Sequence, residues 1–146
     1  MLNFSAETQI RTALDYVSAA ADRTGEVFDS QGFEGVCMVV KFAAIAAAAV
    51  TSIKAQQGQA ANMSDAADLA GTAQTIANDD DDQIFVIDIV KPMERYLRVF
   101  VDKDGTNATA EMAFYIGYNG HKIPTVLTLT DEVTYERHIS PAEGTA

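Results

Sequence analysis

The chain has no tryptophan, one cysteine, three prolines and two histidines among its 146 residues, and only 10 basic residues against 21 acidic ones. A single cysteine cannot close a disulfide within the chain, so no framework of bridges holds the fold. Cys37 itself lies in the apolar run from Val36 to Val40, where a thiol behaves as a small buried hydrophobe. A net charge of −11 repels phosphate backbones and supplies none of the counterion release that drives nucleic-acid binding, which removes nucleic acid from the expected partners. The longest apolar run, Phe42 to Val50, falls far short of the ~20 residues a membrane-spanning helix needs. The first residues also lack the basic-then-apolar pattern of a signal peptide. The expectation is a protein made in the cytosol and kept off the membrane.

What the chain does have is apolar content, 48% of residues, enough for one domain with a real core at a size that buries roughly 68–70% of the unfolded surface. The most informative stretch is Gln83 to Val90, a break at Lys91 to Glu94 marked by Pro92, then Arg95 to Asp102. Two β-rich runs joined by a short turn predict an antiparallel pair, and a third apolar run follows from Ala113 to Tyr118. Val36 to Phe42 predicts a buried strand, reached through the turn-rich Ser30 to Gly35. Ala43 to Ala49 favours helix by propensity, but so short a piece does not offset the cost of helix nucleation. A bend followed by a strand from Val50 to Gln56 is therefore expected.

Gln57 to Gly71 is polar and turn-like, with Ser64 to Leu69 able to close one helical turn. Asp102 to Gly105 and Asn119-Gly120 are hairpin signals, the second flanked by Tyr115 to Tyr118 and Val126 to Leu129. Turn signals spaced by about 8–12 residues predict an all-β fold, an antiparallel β-sandwich or a jelly-roll-like barrel over residues 24–146. Residues 1–23 read as an N-terminal arm. Ile10, Leu14 and Val17 are spaced for one helical face, so the arm is either helical or extended. The tail from Ser140 to Ala146 reads as an exposed end or a docking strand.

No residue pattern predicts catalysis. His121 and His138 stand apart from any serine or cysteine in a nucleophile setting, and Cys37 lacks electropositive neighbours. Asp79 to Asp82 offers carboxylates to a cation, yet consecutive acids on an extended backbone cannot all face one ion, and a solvated loop that discourages edge pairing explains them. Asp102 to Gly105 with Glu111 approximates a calcium-loop spacing, but Phe100 occupies the first ligand position and the flanks read as strands. Asp22, Asp29, Glu34, Asp65 and Asp68 could pair for glycoside chemistry only across a cleft, and the chain lacks a tryptophan platform for sugar rings. No glycine cluster is followed by the Lys-Ser or Lys-Thr of a phosphate loop. The expectation is a non-enzyme with no cofactor and no metal.

Several short phrases, taken together, carry a resemblance: Asp29 to Gly35 before an apolar strand, Ser52 to Gln57, Ala67 to Thr72, Asp88 to Arg98 with its Lys-Pro-x-x-Arg-Tyr core, and Ser140 to Thr145. From about Thr24 onward the chain resembles the head decoration, or capsid cement, proteins of tailed bacteriophages. The resemblance implies a compact β-sandwich or jelly-roll module, often a homotrimer, seated on the outer surface of a capsid with the major capsid protein as partner and the virion as its location. It implies no catalytic residues. In that setting Phe4, Ile10, Leu14 and Tyr16 are the candidate intersubunit or capsid contacts, ordering on binding as such arms do. The acidic loop would face solvent or meet basic capsid residues. A second reading is a carbohydrate- or host-surface-binding β-sandwich of a phage tail or fibre, with Tyr96, Tyr115, Tyr118 and Tyr135 as sugar-facing rings.

Overall fold

In the computed structural model, which describes residues 3–125, 132–140 and 142–145, side-chain alternation decides which face of each strand is buried. A one-turn helix, α1 (Phe4–Glu7), precedes β1 (Gln9–Ala19). The chain continues through β2 (Arg23–Thr24), β3 (Phe28–Asp29), β4 (Gly35–Ile45), β5 (Thr51–Gly58), β6 (Ala67–Asp68), β7 (Gln74–Ile76), β8 (Ile84–Val90), β9 (Tyr96–Lys103) and β10 (Thr109–Tyr118). On β4, Val36, Met38, Val40 and Phe42 have no exposed surface, while Cys37, Val39 and Lys41 between them are half-buried on the other face. Leu97, Val99 and Val101 on β9, with Ile53 and Ala55 on β5, close the core from the opposite layer. Each such buried Val, Leu, Ile or Phe contributes about 1.5–3 kcal/mol of transfer free energy, so the period-two pattern is what selects this pairing of faces.

One sheet has the order β1-β10-β4-β8, antiparallel throughout. The other is built on β9 and β5, with β2 and β3 on the far side of β9 and β6 and β7 on the far side of β5. Taking β2 with β3, and β6 with β7, as single broken strands gives four strands per layer. The chain crosses to the opposite layer between β1 and β2, β3 and β4, β4 and β5, β7 and β8, β8 and β9, and β9 and β10. That path is the jelly roll, and the all-β sandwich expected from the sequence is the fold. After the first, each crossing turns at a residue of positive φ: Gly32, Ala48, Asp82, Lys91 and Gly105. The left-handed region reverses the chain tightly, at some cost wherever the residue carries a Cβ.

Four expectations need correction. The runs Gln83 to Val90 and Arg95 to Asp102 are strands, but they do not pair: β8 lies on β4, with Ile87 opposite Met38, and β9 lies on β5, with Val101 opposite Ile53. Lys91, at φ 51, turns the chain over the edge of the sandwich, so both strands bury their apolar faces across the core. Asp102 to Gly105 likewise joins two layers, not the arms of a hairpin. The expected arm over residues 1–23 is not separate where it is described: β1 pairs with β10 from Gln9↔Gly117 to Ala19↔Thr109, Ala13 and Leu14 are buried, and the Glu26 N–H donates to the Ala13 carbonyl at 2.9 Å. Ser64 to Leu69 forms a turn leading into β6, with no helical turn. The expected bend is shorter than Ala43 to Ala49: Ala43 to Ile45 continue β4, and the chain turns only at Ala46 to Ala49, where Ala49 N–H donates to the Ala46 carbonyl at 3.0 Å. Val126 to Leu129 lie outside the described residues.

Candidate functional site

Alternation brings two opposite charges into the core. Glu111 stands in phase with Ala113 and Tyr115 on the inner face of β10, and Lys103 stands in phase with Val99 and Val101 on β9; both side chains are 0% exposed. Lys103 Nζ donates to Glu111 Oε1 at 2.9 Å, to Oε2 at 3.0 Å and to the Ala19 carbonyl at 2.8 Å. Arg23 Nη1 donates to Oε1 at 2.9 Å, and Thr109 Oγ1 donates to Oε2 at 2.8 Å. Every charge in this cluster is met, which is the condition under which a buried polar network fixes one arrangement of the strands around it. It leaves Glu111 no capacity for a cation or a substrate.

Several of the other candidate acids are also held by hydrogen bonds, on the surface. Asp80 Oδ2 accepts from Ala77 N–H at 2.7 Å and Asp81 Oδ1 from Ile45 N–H at 2.8 Å, so the acidic loop ties itself to the end of β4. Asp65 accepts from Gln59 N–H, Asp68 from Lys54 and Gln56, Glu34 from Asn119 and Asp22 from Lys103 N–H. These carboxylates are spread over different loops and strands. No group of three or more His, Cys, Asp or Glu among the described residues is placed to hold a metal ion. His138 bonds Glu136 on the surface, and His121 lines an open groove of about 460 Å³ with Phe33 and Pro124. No helix among the described residues is long and apolar enough to cross a membrane.

Asp29 accepts from Arg95 Nε at 2.9 Å and Nη2 at 2.7 Å, and this guanidinium holds its carboxyl below the ordinary 3.8. A carboxyl whose pKa falls on folding contributes stability above its unfolded value and loses it as the pH drops through the folded value. Both partners are nearly half exposed and screened by solvent, so the pair contributes little. Asp29→Asn should lower the melting temperature by about 1–2 °C at pH 7, and thermal melts should show the difference shrinking as the pH falls below 3.8.

The four candidate contacts are not brought together. Leu14 is a core residue, 6% exposed, because a register shift between Thr12 and Leu14 turns it inward. Phe4 is exposed on α1, Tyr16 is exposed beside the second register shift of β1, and Ile10 lies opposite Ile116 on the outer side of the first sheet. Nor do the tyrosines make a platform. Tyr115 is buried, accepting from Val99 N–H at 3.0 Å and donating to the Glu26 carbonyl at 2.7 Å. Tyr118 donates to Asp88 Oδ1 at 2.8 Å, and burial together with that carboxylate pushes its hydroxyl well above the ordinary tyrosine value.

What the chain presents instead is the outer face of the four-stranded sheet. Register places Ile10, Ile116, Cys37 and Asp88 in one cross-strand row and Thr12, Phe114, Val39 and Val86 in the next. Met112, Lys41 and Ile84 form a third. Val86 is 47% and Ile84 62% exposed, with Met112 and Val90 also open to solvent. A contiguous apolar face left open to solvent is a candidate interaction surface. Lys41 and Asp88 are its charged members, Lys41 anchored on the Asp82 carbonyl. Cys37, near its centre, has a thiol raised by burial and by Asp88, which suits packing and not nucleophilic work.

No family model matches the chain, and no curated protein does. Among solved structures it is similar to one from Bacillus endospore appendages, described as a novel family of disulfide-linked pili. The two share 12% identity over 82% of this chain and 94% of that one, with a TM-score of 0.46. That likeness is too distant to bear on function.

Proposed function

We propose that this chain is a structural virion protein that binds the outer surface of a bacteriophage capsid as a decoration or cement protein and stabilises the shell. The observation that carries the reading is the apolar outer face of the first sheet, on a jelly roll whose buried charges are spent on holding strands together. Such a molecule works by association. The phrases from Asp29 to Gly35 and from Asp88 to Arg98 supply the likeness to phage head proteins, and the net charge of −11 suits contact with basic shell residues. Many weak contacts on a symmetric lattice add up through effective concentration, so modest affinity per copy is sufficient.

The test is co-sedimentation of the purified chain with shells of the encoding phage that lack it. Saturable binding that weakens with salt and raises the temperature at which the shells break is the expected result. Absence of shell binding, combined with binding on a glycan array, would replace this reading with the carbohydrate-binding one.

A further inference from the structure

We propose that the free edge of β8 pairs antiparallel with β8 of a second copy of this chain, joining their two four-stranded sheets into one continuous sheet. Each sheet of the sandwich has two edges, and among the described residues all but one are blunted against such pairing. β1 is bent by two register shifts, and the Glu132 carboxylate lies on its Thr12 N–H and on Arg11. β2 with β3, and β6 with β7, are edge pieces of two or three residues each. β8 is different: its seven residues, Ile84 to Val90, match β4 without a shift and carry no proline, no lysine and no charge on the inner face. A regular apolar edge of this kind invites another strand.

The phase of the hydrogen bonds decides which groups this edge offers. Phe42 N–H donates to the Gln83 carbonyl at 3.0 Å and Lys91 N–H donates to the Glu34 carbonyl at 2.7 Å, so the odd-numbered residues of β8 bond to β4. The N–H and C=O groups of Ile84, Val86, Asp88 and Val90 therefore point off the sheet. Gln74 Nε2 donates to one of them, the Val86 carbonyl, at 2.9 Å, and an incoming strand displaces that side chain.

The strand that fits is β8 itself. Centred on Ile87, the antiparallel register sets Ile84 opposite Val90, Phe85 opposite Ile89 and Val86 opposite Asp88 of the other copy, so the whole strand is used and its β-branched and aromatic side chains meet across the seam. Centring on Asp88 would set two carboxylates face to face, and centring on Val86 would run Val90 onto Asp82 of the other copy. β8 also begins at the acidic loop and ends at the exposed Lys91, so antiparallel pairing lays Lys91 of each copy beside Asp81 and Asp82 of the other. Asp82 already lies 3.6 Å from Lys41 of its own chain, but the carboxylates of Asp79 to Asp82 outnumber that cation. The two-fold axis stands perpendicular to the joined sheet, so the outer faces of both copies look to the same side and the pairing leaves them open. A contact one strand wide is smaller than the ~800 Å² per partner of a standard interface, which makes it reversible and dependent on concentration. It closes at two copies, where the resemblance to head decoration proteins implies three.

The experiment combines sedimentation of the full-length chain, from about 20 μM to about 1 mM, with amide-resolved hydrogen exchange over the same range. The expected result is a mass rising from one chain to two while the amides of Ile84, Val86, Asp88 and Val90 slow by about tenfold, those of Phe85, Ile87 and Ile89 being protected by β4 throughout. Val86→Pro removes an N–H that points off the edge and leaves the ladder to β4 whole, so it should stay monomeric with a melting curve close to that of the parent. Lys91→Glu should weaken pairing severalfold. A chain that is monomeric at every concentration would overturn the proposal. So would an oligomer, a trimer included, in which those four amides still exchange fast, or one that survives Val86→Pro. An undiminished Lys91→Glu pair would overturn the antiparallel register. Exchange in the unaltered chain decides the matter even if Val86→Pro fails to fold, and capsid binding or its absence changes none of these outcomes.

Discussion

Replacing Glu111 by Gln is expected to lower the unfolding free energy by about 3–5 kcal/mol, read from urea denaturation, because it removes the anion that Lys103 and Arg23 share. Lys103 has no exposed side-chain surface and no route to water, so its ammonium is left buried without a counter-charge, whereas Arg23, 15% exposed, can turn outward. The cost should be asymmetric across the pair. Lys103→Met leaves Glu111 still held by Arg23 and Thr109 and should cost only about 1–2 kcal/mol. Combining Lys103→Met with Glu111→Leu should cost less than Glu111→Gln alone, since it removes the stranded charge together with its partner. A Glu111→Gln protein destabilised by less than about 1 kcal/mol would mean that water reaches this cluster.

The second large effect separates the two faces of β4. Phe42 is fully buried, with its ring edge-on to Phe85 at 5.6 Å, and Phe42→Ala should cost about 3–5 kcal/mol through lost transfer free energy and the cavity left behind. Val39, three residues earlier on the outer face, should cost under about 1 kcal/mol on truncation to Ala in dilute solution. Chemical denaturation of the two variants checks the pair directly. Equal costs would put both residues inside and contradict the placement of the sheet.

The strands were legible where alternation or β-branched content is strong: Val36 to Phe42, Gln83 to Val90 and Arg95 to Asp102 fall within or close to β4, β8 and β9. Their pairing was not. A break of four residues between two β-rich runs reads as a hairpin, and only the burial of Ile87 and Val99 in a shared core sends each strand to a distant partner. That preference is energetic and non-local, so neighbouring residues do not encode it. In the same way β1 was hidden by its two register shifts, which break the period-two pattern around Ala13 and Tyr16 and leave Ile10, Leu14 and Val17 at a helix-like spacing.

Of the candidate site, Ile10 is on the apolar face and Leu14 is not, because a register shift cannot be seen in residue spacing. The charge cluster carried a visible signal: Glu111 shares the parity of Ala113 and Tyr115, and Lys103 that of Val99 and Val101. A charged residue in phase with a buried row predicts a buried partner of opposite sign. The apolar outer face was less visible, since Val36 to Phe42 reads as a strand buried on both sides and nothing local says that one side is left open.

Adhesion to the outer surface of a capsid shell is the proposed role of this protein. The most direct measurement is quantitative mass spectrometry of purified particles of the encoding phage together with their three-dimensional reconstruction. The account predicts the chain in fixed ratio to the major capsid protein, with jelly-roll density on the outer surface. Particles purified free of the chain, with no such density, would contradict it.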